Sequence, residues 1–156
     1  MKTLGIYGAG GHGREVLELA RVINEREKRW EEIFFIDDGD VTPMVNGIGV
    51  KTGYETFNDY GVEELEISIA VGEPKTREVL IDQVKSHGFS LATLVHPDVR
   101  IPESTILESG TTINIGDFVS CNAIFHEGVY MQPYASIGHD CELGKGTLIS
   151  TGCILA

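Results

Sequence analysis

Positive charge, cysteine and long apolar runs are all scarce in this chain of 156 residues. Its 12 Lys and Arg residues stand against 24 Asp and Glu residues, which gives a net charge of −12. Because no basic cluster offsets this excess, we expect neither nucleic acid nor an anionic membrane surface as a partner. No run approaches the roughly eighteen apolar residues of a membrane helix, so we also predict no membrane segment.

Cysteine occurs at three positions only, Cys121, Cys141 and Cys153, and these are not spaced as metal ligands. We therefore expect no metal site, and we expect the thiols to be reduced and buried. The first residues lead directly into glycines without a long apolar stretch, which predicts no signal peptide. Together these features predict a cytoplasmic protein.

The abundant feature is an apolar residue at every sixth position of the C-terminal part. The series is Val95, Ile101, Leu107, Ile113, Val119, Phe125, Met131, Ile137, Leu143, Ile149 and Leu155. A period of six suits neither a long helix nor a sandwich strand. It predicts a solenoid in which each hexad forms one short strand and one corner, three hexads complete a coil, and parallel strands stack between coils. A sandwich of short strands is the alternative, and the unbroken register argues against it.

The N-terminal part alternates predicted strands and helices instead. We predict strands at residues 2–7, 33–36, 66–71 and 89–94, helices at 14–27 and 74–87, and a short strand and short helix near 48–50 and 54–60. This order predicts a small parallel sheet with crossover helices. The predicted fold is thus α/β followed by β, with a Rossmann-like domain at residues 1–94 and the solenoid at residues 95–156.

A glycine loop joins the first predicted strand to the first helix. Gly8, Gly10 and Gly13 satisfy the G-x-G-x-x-G pattern, in which backbone N–H groups and a helix N-terminus bind phosphate. Asp37 or Asp38 ends the second strand, where a ribose-binding carboxylate is expected. Taken alone, this pattern favours an NAD-dependent oxidoreductase, but the short sheet forms only half of a dinucleotide site. The glycines also fit a purely structural role in a tight turn.

Residues 137–144, with the sequence IGHDCELG, and the hexads around them resemble the hexapeptide-repeat acyltransferases. With its N-terminal half, the chain is similar to bacterial sugar-nucleotide N-acetyltransferases and to sialic-acid O-acetyltransferases. This resemblance implies a left-handed parallel β-helix, a homotrimer, acetyl-CoA as co-substrate and a UDP-amino-sugar as acceptor in glycan or surface-polysaccharide synthesis. An O-acetyltransferase and a non-catalytic module that binds nucleotide sugars remain as alternatives.

The resemblance also implies roles for the glycine loop. By position, Gly11, His12 and Gly13 would face the pyrophosphate of the UDP-sugar, with Gly8 and Gly10 in the same loop. Asp37 and Asp38 would face the uridine. The alternative for His12 is a neutral, solvent-exposed loop residue.

The predicted catalytic pair is His139 and Asp140. His139 alone among the solenoid histidines occupies the third position of its hexad, whereas His96 and His126 occupy the second. A histidine with an ordinary pKa of about 6.5 suits the removal of a proton from an attacking amine. An adjacent carboxylate can fix its tautomer. The alternative is a surface histidine without a catalytic role.

The acetyl-CoA site is predicted in the last coils. A backbone N–H in residues 144–152 would stabilise the oxyanion, which makes Gly144 and Gly152 the predicted donor-binding residues. Similar proteins continue for about two more coils, so we expect the chain to be either truncated or unusually short, and this site to be incomplete. Leu148 stands where a second histidine often contacts the acetyl donor. Which sugar is acetylated stays open.

Overall fold

The computed structural model describes residues 2–156, and its N-terminal half is a six-stranded sheet. The strands are β1 (Lys2–Tyr7), β2 (Trp30–Ile36), β3 (Met44–Val45), β4 (Ile48–Lys51), β5 (Leu65–Ile69) and β6 (Ser90–Leu91). Their order is β3-β4-β2-β1-β5-β6, and every pair is parallel except β3 with β4. The residues of β5 are buried throughout, because helices cover both faces of a parallel sheet.

Three helices accompany this sheet: α1 (Gly11–Glu27), α2 (Gly53–Asp59) and α3 (Pro74–Ser86). Helix α1 begins three residues before the predicted start, because the second half of the glycine loop is already helical behind the N-cap Gly10. Its buried stripe includes Val16, Leu17 and Ile23, at helical spacing as predicted. No helix in residues 2–156 is long and apolar enough to cross a membrane.

The single strand predicted over residues 89–94 is wrong. Leu91 pairs with Ile67 at the edge of the N-terminal sheet, whereas Leu94–Val95 forms β7 and pairs with the solenoid strand Thr112–Ile113. One apolar run therefore serves two different sheets, and the chain passes between them at residues 92 and 93. The domain boundary proposed after residue 94 stays a prediction, and β7 spans it.

The C-terminal half is a three-sided parallel β-helix. After β7 its strands are β8 (Ile106–Leu107), β9 (Thr112–Ile113), β10 (Phe118–Val119), β11 (Ile124–Phe125), β12 (Tyr130–Met131), β13 (Ser136–Ile137), β14 (Glu142–Leu143), β15 (Leu148–Ile149) and β16 (Ile154–Leu155). We name the three sheets face A (β10, β13, β16), face B (β8, β11, β14) and face C (β7, β9, β12, β15). Each strand pairs with the strand one coil away, as the hexad period predicted.

The hexad positions explain which residues fill the interior and which form corners. The apolar first positions pack in the solenoid core: Ile113, Phe125 and Ile137 are fully buried, whereas positions near the two ends, such as Leu107 and Leu155, are partly buried. Every sixth residue from 110 to 152 forms a corner with positive φ: Gly110, Gly116, Asn122, Gly128, Tyr134, Asp140, Gly146 and Gly152. The expectation that the cysteines are buried is wrong: Cys121 is exposed beside the corner residue Asn122, and Cys141 and Cys153 are only partly buried.

Helix α3 joins the two halves by packing on the corner between face B and face C. Ile81 occupies the space that a Cβ at Gly128 would need, and Lys85 pairs with Glu127 at 2.7 Å. The buried guanidinium of Arg77 donates to the carbonyl oxygens of Ile69, Val71 and Gly128. Burial lowers the pKa of Arg77 to about 10, so it stays charged at neutral pH. The Arg77 side chain therefore links the end of β5 to a corner of the β-helix through hydrogen bonds to backbone carbonyl groups.

Candidate functional site

The glycine loop lies at the carboxyl end of β1, in the middle of the sheet, where open α/β sheets bind ligands. Gly8 has a φ of +114° and donates its N–H to the Ile36 carbonyl at 2.7 Å. Gly13 packs against the carbonyl of Gly8, which leaves no space for a Cβ there. Gly10 and Gly11 are exposed, and apart from Gly10 and its two chain neighbours no described residue has an atom within 4 Å of a Cβ built on Gly10. Two glycines thus shape the turn, while two leave its outer surface accessible.

The two predicted carboxylates support this loop from the end of β2. Asp37 accepts the N–H of Ala9 and that of Gly39, each at 2.9 Å. Asp38 accepts the N–H of Gly53 at 2.8 Å and the hydroxyl proton of Tyr7. Each carboxylate therefore holds backbone in place and retains lone pairs for a ligand. Burial and the neighbouring Asp38 raise the pKa of Tyr7, which keeps that hydroxyl protonated as a donor.

His12 is half-buried and contacts the β-helix. Its ring lies 4.8 Å from the ring of Tyr130 in an edge-on arrangement, and its Nε2 lies 3.3 Å from Nε2 of Gln132. Gln132 Oε1 accepts the N–H of Thr151 at 3.1 Å, so the NH₂ group of Gln132 faces His12. Because that NH₂ donates, Nε2 of His12 accepts and Nδ1 carries the proton. Burial lowers the pKa of His12, with Glu15 opposing, and this favours the neutral ring.

His139 and Asp140 form the corner between face A and face B. Nδ1 of His139 lies 2.6 Å from Oδ2 of Asp140, and the His139 side chain is 76% exposed. Hydrogen bonds from His139 and Asn122 lower the pKa of Asp140, so its carboxylate is ionised and only accepts. Nδ1 of His139 must then donate, which leaves the Nε2 lone pair directed to solvent. This arrangement suits a general base.

The other solenoid histidines are engaged in structural contacts. His126 bridges Glu108 and Glu142 across neighbouring coils at 3.1 and 2.7 Å, and these carboxylates raise its pKa. His96 is buried, and its Nδ1 accepts the N–H of Asp98. Among the solenoid histidines in residues 2–156, His139 is thus the one with a solvent-exposed ring nitrogen next to an orienting carboxylate.

The two predicted centres lie on different sides of the solenoid within one chain. The glycine loop contacts face C through Gln132, which follows β12, whereas His139 follows β13 on face A. The predicted base and the predicted nucleotide site therefore lie at opposite edges of face A in the same chain.

The predicted donor-binding glycines differ from each other. Gly144 is exposed, has no positive φ, and its carbonyl accepts the N–H and hydroxyl of Thr147. Gly152 is an exposed corner with φ +71°, and a Cβ built there would meet no described atom within 4 Å outside Gly152 and its two chain neighbours. Leu148 packs against the N-terminal core, which explains an apolar residue at that position.

Sequence reasoning missed Arg77, Gln132 and Tyr134. Arg77 lies on the buried side of α3, and Gln132 meets His12 across 120 positions of sequence. Tyr134 occupies a corner that is glycine one coil earlier and one coil later, and this contrast was the available signal. Within residues 2–156, no group of three or more His, Cys, Asp or Glu side chains is arranged to hold a metal ion.

Comparison with known proteins identifies relatives along nearly the whole chain. Residues 3–84 match the PglD N-terminal domain model. The acetyltransferase domain of PglB from Neisseria gonorrhoeae FA1090, solved in complex with acetyl coenzyme A, is 32% identical. It has a TM-score of 0.90 over 99% of this chain and 73% of that chain. This complex agrees with acetyl-CoA as the expected co-substrate.

Two further relatives carry a substrate in their names. GDP-perosamine N-acetyltransferase from Escherichia coli O157:H7 is 25% identical over 97% of this chain and 69% of that protein. A histidine-to-alanine mutant of GDP-perosamine N-acetyl transferase from Caulobacter crescentus, in complex with CoA and GDP-perosamine, shares the fold at 24% identity. Its TM-score is 0.81 over 95% of this chain and 68% of that chain. The resemblance to sugar-nucleotide acetyltransferases is confirmed: this chain belongs to the acyltransferase family whose N-terminal region is the PglD N-terminal domain.

Proposed function

We propose that this protein transfers the acetyl group of acetyl-CoA to the amino group of a nucleotide-linked amino sugar. The observation that carries the proposal is the hydrogen bond from His139 to Asp140 at an exposed corner, which leaves Nε2 free to accept a proton. The acetyl-CoA complex of the gonococcal relative supports the donor. The sugar N-acetyltransferase relative supports the acceptor.

His139 acts as the general base in this proposal. Acetyl-CoA supplies the acyl group as a thioester. Nε2 of His139 removes a proton from the acceptor nitrogen as the C–N bond forms, and it returns that proton to the thiolate when the C–S bond breaks. Asp140 stabilises the imidazolium in between and holds the ring in the productive tautomer. The open corner at Gly152 and the exposed Gly144 are the proposed contacts for the donor.

The glycine loop binds the nucleotide part. Backbone N–H groups at Gly10, Gly11 and Gly13 and the positive end of α1 face the pyrophosphate, and Nδ1–H of His12 is a further donor. Such local donors are required because the chain as a whole carries a net charge of −12. Asp37 and Asp38 accept hydrogen bonds from the nucleoside. We propose UDP as that nucleotide, and the curated relative makes GDP the competing possibility.

A second copy of the chain completes the site in this proposal. The base and the nucleotide loop lie on different sides of one solenoid, so the acceptor nitrogen must meet His139 of a neighbouring copy. Face A is suited to a subunit contact, because its outward strand residues Phe118, Ser136 and Ile154 are uncharged and two of them are strongly exposed. A cyclic homotrimer repeats this contact without leaving an open end.

Acetyl-CoA consumption, followed as free thiol, tests the proposal. The acceptors are GDP-perosamine, UDP-4-amino and UDP-3-amino sugars, and a sialic acid for the O-acetylation alternative. We expect turnover with an amino-sugar nucleotide and a loss of roughly a hundredfold or more in kcat for His139→Ala. His126→Ala is the matched control on the neighbouring face and should retain activity. Binding of sugar nucleotides without any turnover would leave only a nucleotide-sugar-binding module.

A further inference from the structure

Tyr134 is the one corner residue of the solenoid with a large side chain. The seven other positive-φ corners between residues 110 and 152 are glycine, asparagine or aspartate, which tolerate this conformation. Tyr134 has a φ of +63°, in the left-handed region that disfavours a bulky side chain. Such strain persists where the surroundings enforce it, and it concentrates at ligand-binding sites.

The surrounding coil holds the Tyr134 ring in a defined position. The ring covers Gly116, the corner one coil earlier, and it fills the space that a Cβ at residue 116 would need. The backbone N–H of Tyr134 donates to the Ile115 carbonyl at 3.1 Å. One side of the ring is therefore packed, while the residue as a whole is 64% exposed. An aromatic ring fixed on one side and open on the other is a platform for a flat apolar surface.

The corner that carries Tyr134 lies next to the glycine loop. Gln132, two residues earlier, contacts His12 of the loop, and Pro133 lines a cavity of about 300 Å³ between α1 and the solenoid. Glu15, one turn beyond His12 on α1, lines the same cavity. The two residues that lead into the Tyr134 corner thus lie beside the glycine loop and α1.

The same corner is one edge of face A. Strand β13 (Ser136–Ile137) lies between the Tyr134 corner on one side and His139 on the other. In a cyclic assembly through face A, the Tyr134 edge of one copy adjoins the His139 edge of the next. In such an assembly the space between these two residues is open to the sugar part of a ligand whose nucleotide is bound by the glycine loop.

We infer that Tyr134 is a specificity-determining residue whose ring packs against the apolar face of the hexose in the nucleotide sugar. This inference rests on the proposed function for the identity of the ligand. The ring recognises the sugar and not the nucleotide, because the nucleoside extends from the pyrophosphate in the opposite direction, towards Asp37 and Asp38. The strained corner is the structural cost of presenting an aromatic side chain at this point.

Calorimetric binding to the full chain tests the inference without any need for turnover. The probes are GDP-perosamine and a UDP-4-amino sugar, each compared with GDP or UDP alone. For Tyr134→Gly we expect the Kd of the preferred sugar nucleotide to rise roughly three- to tenfold, as for the loss of one aromatic contact, while the Kd of the bare nucleotide is unchanged. Tyr134→Phe should bind like the wild type. Equal weakening for bare nucleotide and sugar nucleotide would overturn the assignment to the hexose.

Stability gives an independent readout, because relief of strain should make Tyr134→Gly melt about 2–4 °C higher even as it binds sugar more weakly. Lys28→Gly is the matched control: Lys28 is exposed and ends α1 with φ +52°, so this variant should gain stability without a change in Kd.

Sedimentation of Tyr134→Gly should show the wild-type mass, and dissociation would mean that Tyr134 acts in a subunit contact instead. Selective binding with no acetyl transfer would reject the proposed reaction and retain this inference. Wild-type protein that prefers neither sugar nucleotide over its bare nucleotide would reject the inference itself.

Discussion

The side-chain nitrogen of Gln132 lies 3.3 Å from Nε2 of His12, so the β-helix sets the tautomer of a residue in the glycine loop. The backbone N–H of Thr151 fixes the Gln132 amide by donating to its oxygen. The contact therefore leaves the ring proton of neutral His12 on Nδ1. A glycine loop alone does not determine this tautomer, and the packing of the two halves does.

Gln132→Glu should raise the pKa of His12. In the wild type, burial lowers this pKa below its usual value of about 6.5, whereas a carboxylate beside Nε2 favours the charged ring. Titration of the His12 ring by NMR measures both values. At a pH between the lowered pKa of His12 in the folded chain and its usual pKa in the unfolded chain, only the unfolded chain binds a proton at His12. The stability of the wild type should therefore fall as the pH is lowered through this range. A wild-type His12 that titrates at or above the usual value would contradict this account.

Asp140→Asn should lower kcat by about a hundredfold or more if His139 is the base, because an amide does not enforce the Nδ1–H tautomer. The pKa of Asp140 is lowered chiefly by the hydrogen bond from His139 and secondarily by that from Asn122. Steady-state kinetics of Asn122→Ala supply the comparison, and we expect a much smaller loss there. Equal losses in the two variants would point to a disturbed corner instead of a lost tautomer.

Sequence and structure agree where the signal is local or periodic, and they diverge where distant segments meet. The hexad series predicts the strand spacing and the coil length because every coil places its apolar residues in the same solenoid core. The run at residues 89–94 shows the limit: apolar pattern alone does not reveal that Leu91 and Leu94 pair with different sheets. Gln132 and Arg77 act through contacts with remote segments, for which the chain carries no local pattern. The roles of His139 and Asp140 stay predictions, although their geometry suits them.

Asp117 should make stability depend on pH in the opposite sense from His12. It is buried beneath a corner, and burial raises its pKa to about 6, although the N–H groups of Asn114 and Ala135 donate to it. The folded chain therefore binds a proton that the unfolded chain has released, so this residue costs stability as pH rises from about 4 to about 6. Asp117→Asn removes that titration. The melting temperature of the wild type relative to the variant should fall over this range, and a constant difference would rule the raised pKa out.

Alanine variants of two corner glycines distinguish the free-energy cost of a left-handed backbone conformation from the cost of a collision with α3. Gly128 and Gly152 have nearly equal φ values, +70° and +71°. A Cβ at Gly128 would collide with Ile81 of α3, whereas a Cβ at Gly152 would meet no described atom within 4 Å outside Gly152 and its two chain neighbours. Gly152→Ala should therefore cost only the left-handed conformation, about 1–2 kcal/mol. Gly128→Ala should cost about 1–3 kcal/mol more, because α3 or the corner must move.

Urea unfolding of both alanine variants measures this difference, since a common conformational cost cancels between them. Ile81→Ala in the Gly128→Ala background provides the test of cause. Removing the Ile81 branch opens the space that the new methyl group needs, so the combined loss should be smaller than the sum of the two single losses. Strict additivity would show that the methyl group at residue 128 does not act through Ile81. In that case the contact between α3 and the β-helix would depend on Arg77 and the ion pair of Lys85 with Glu127.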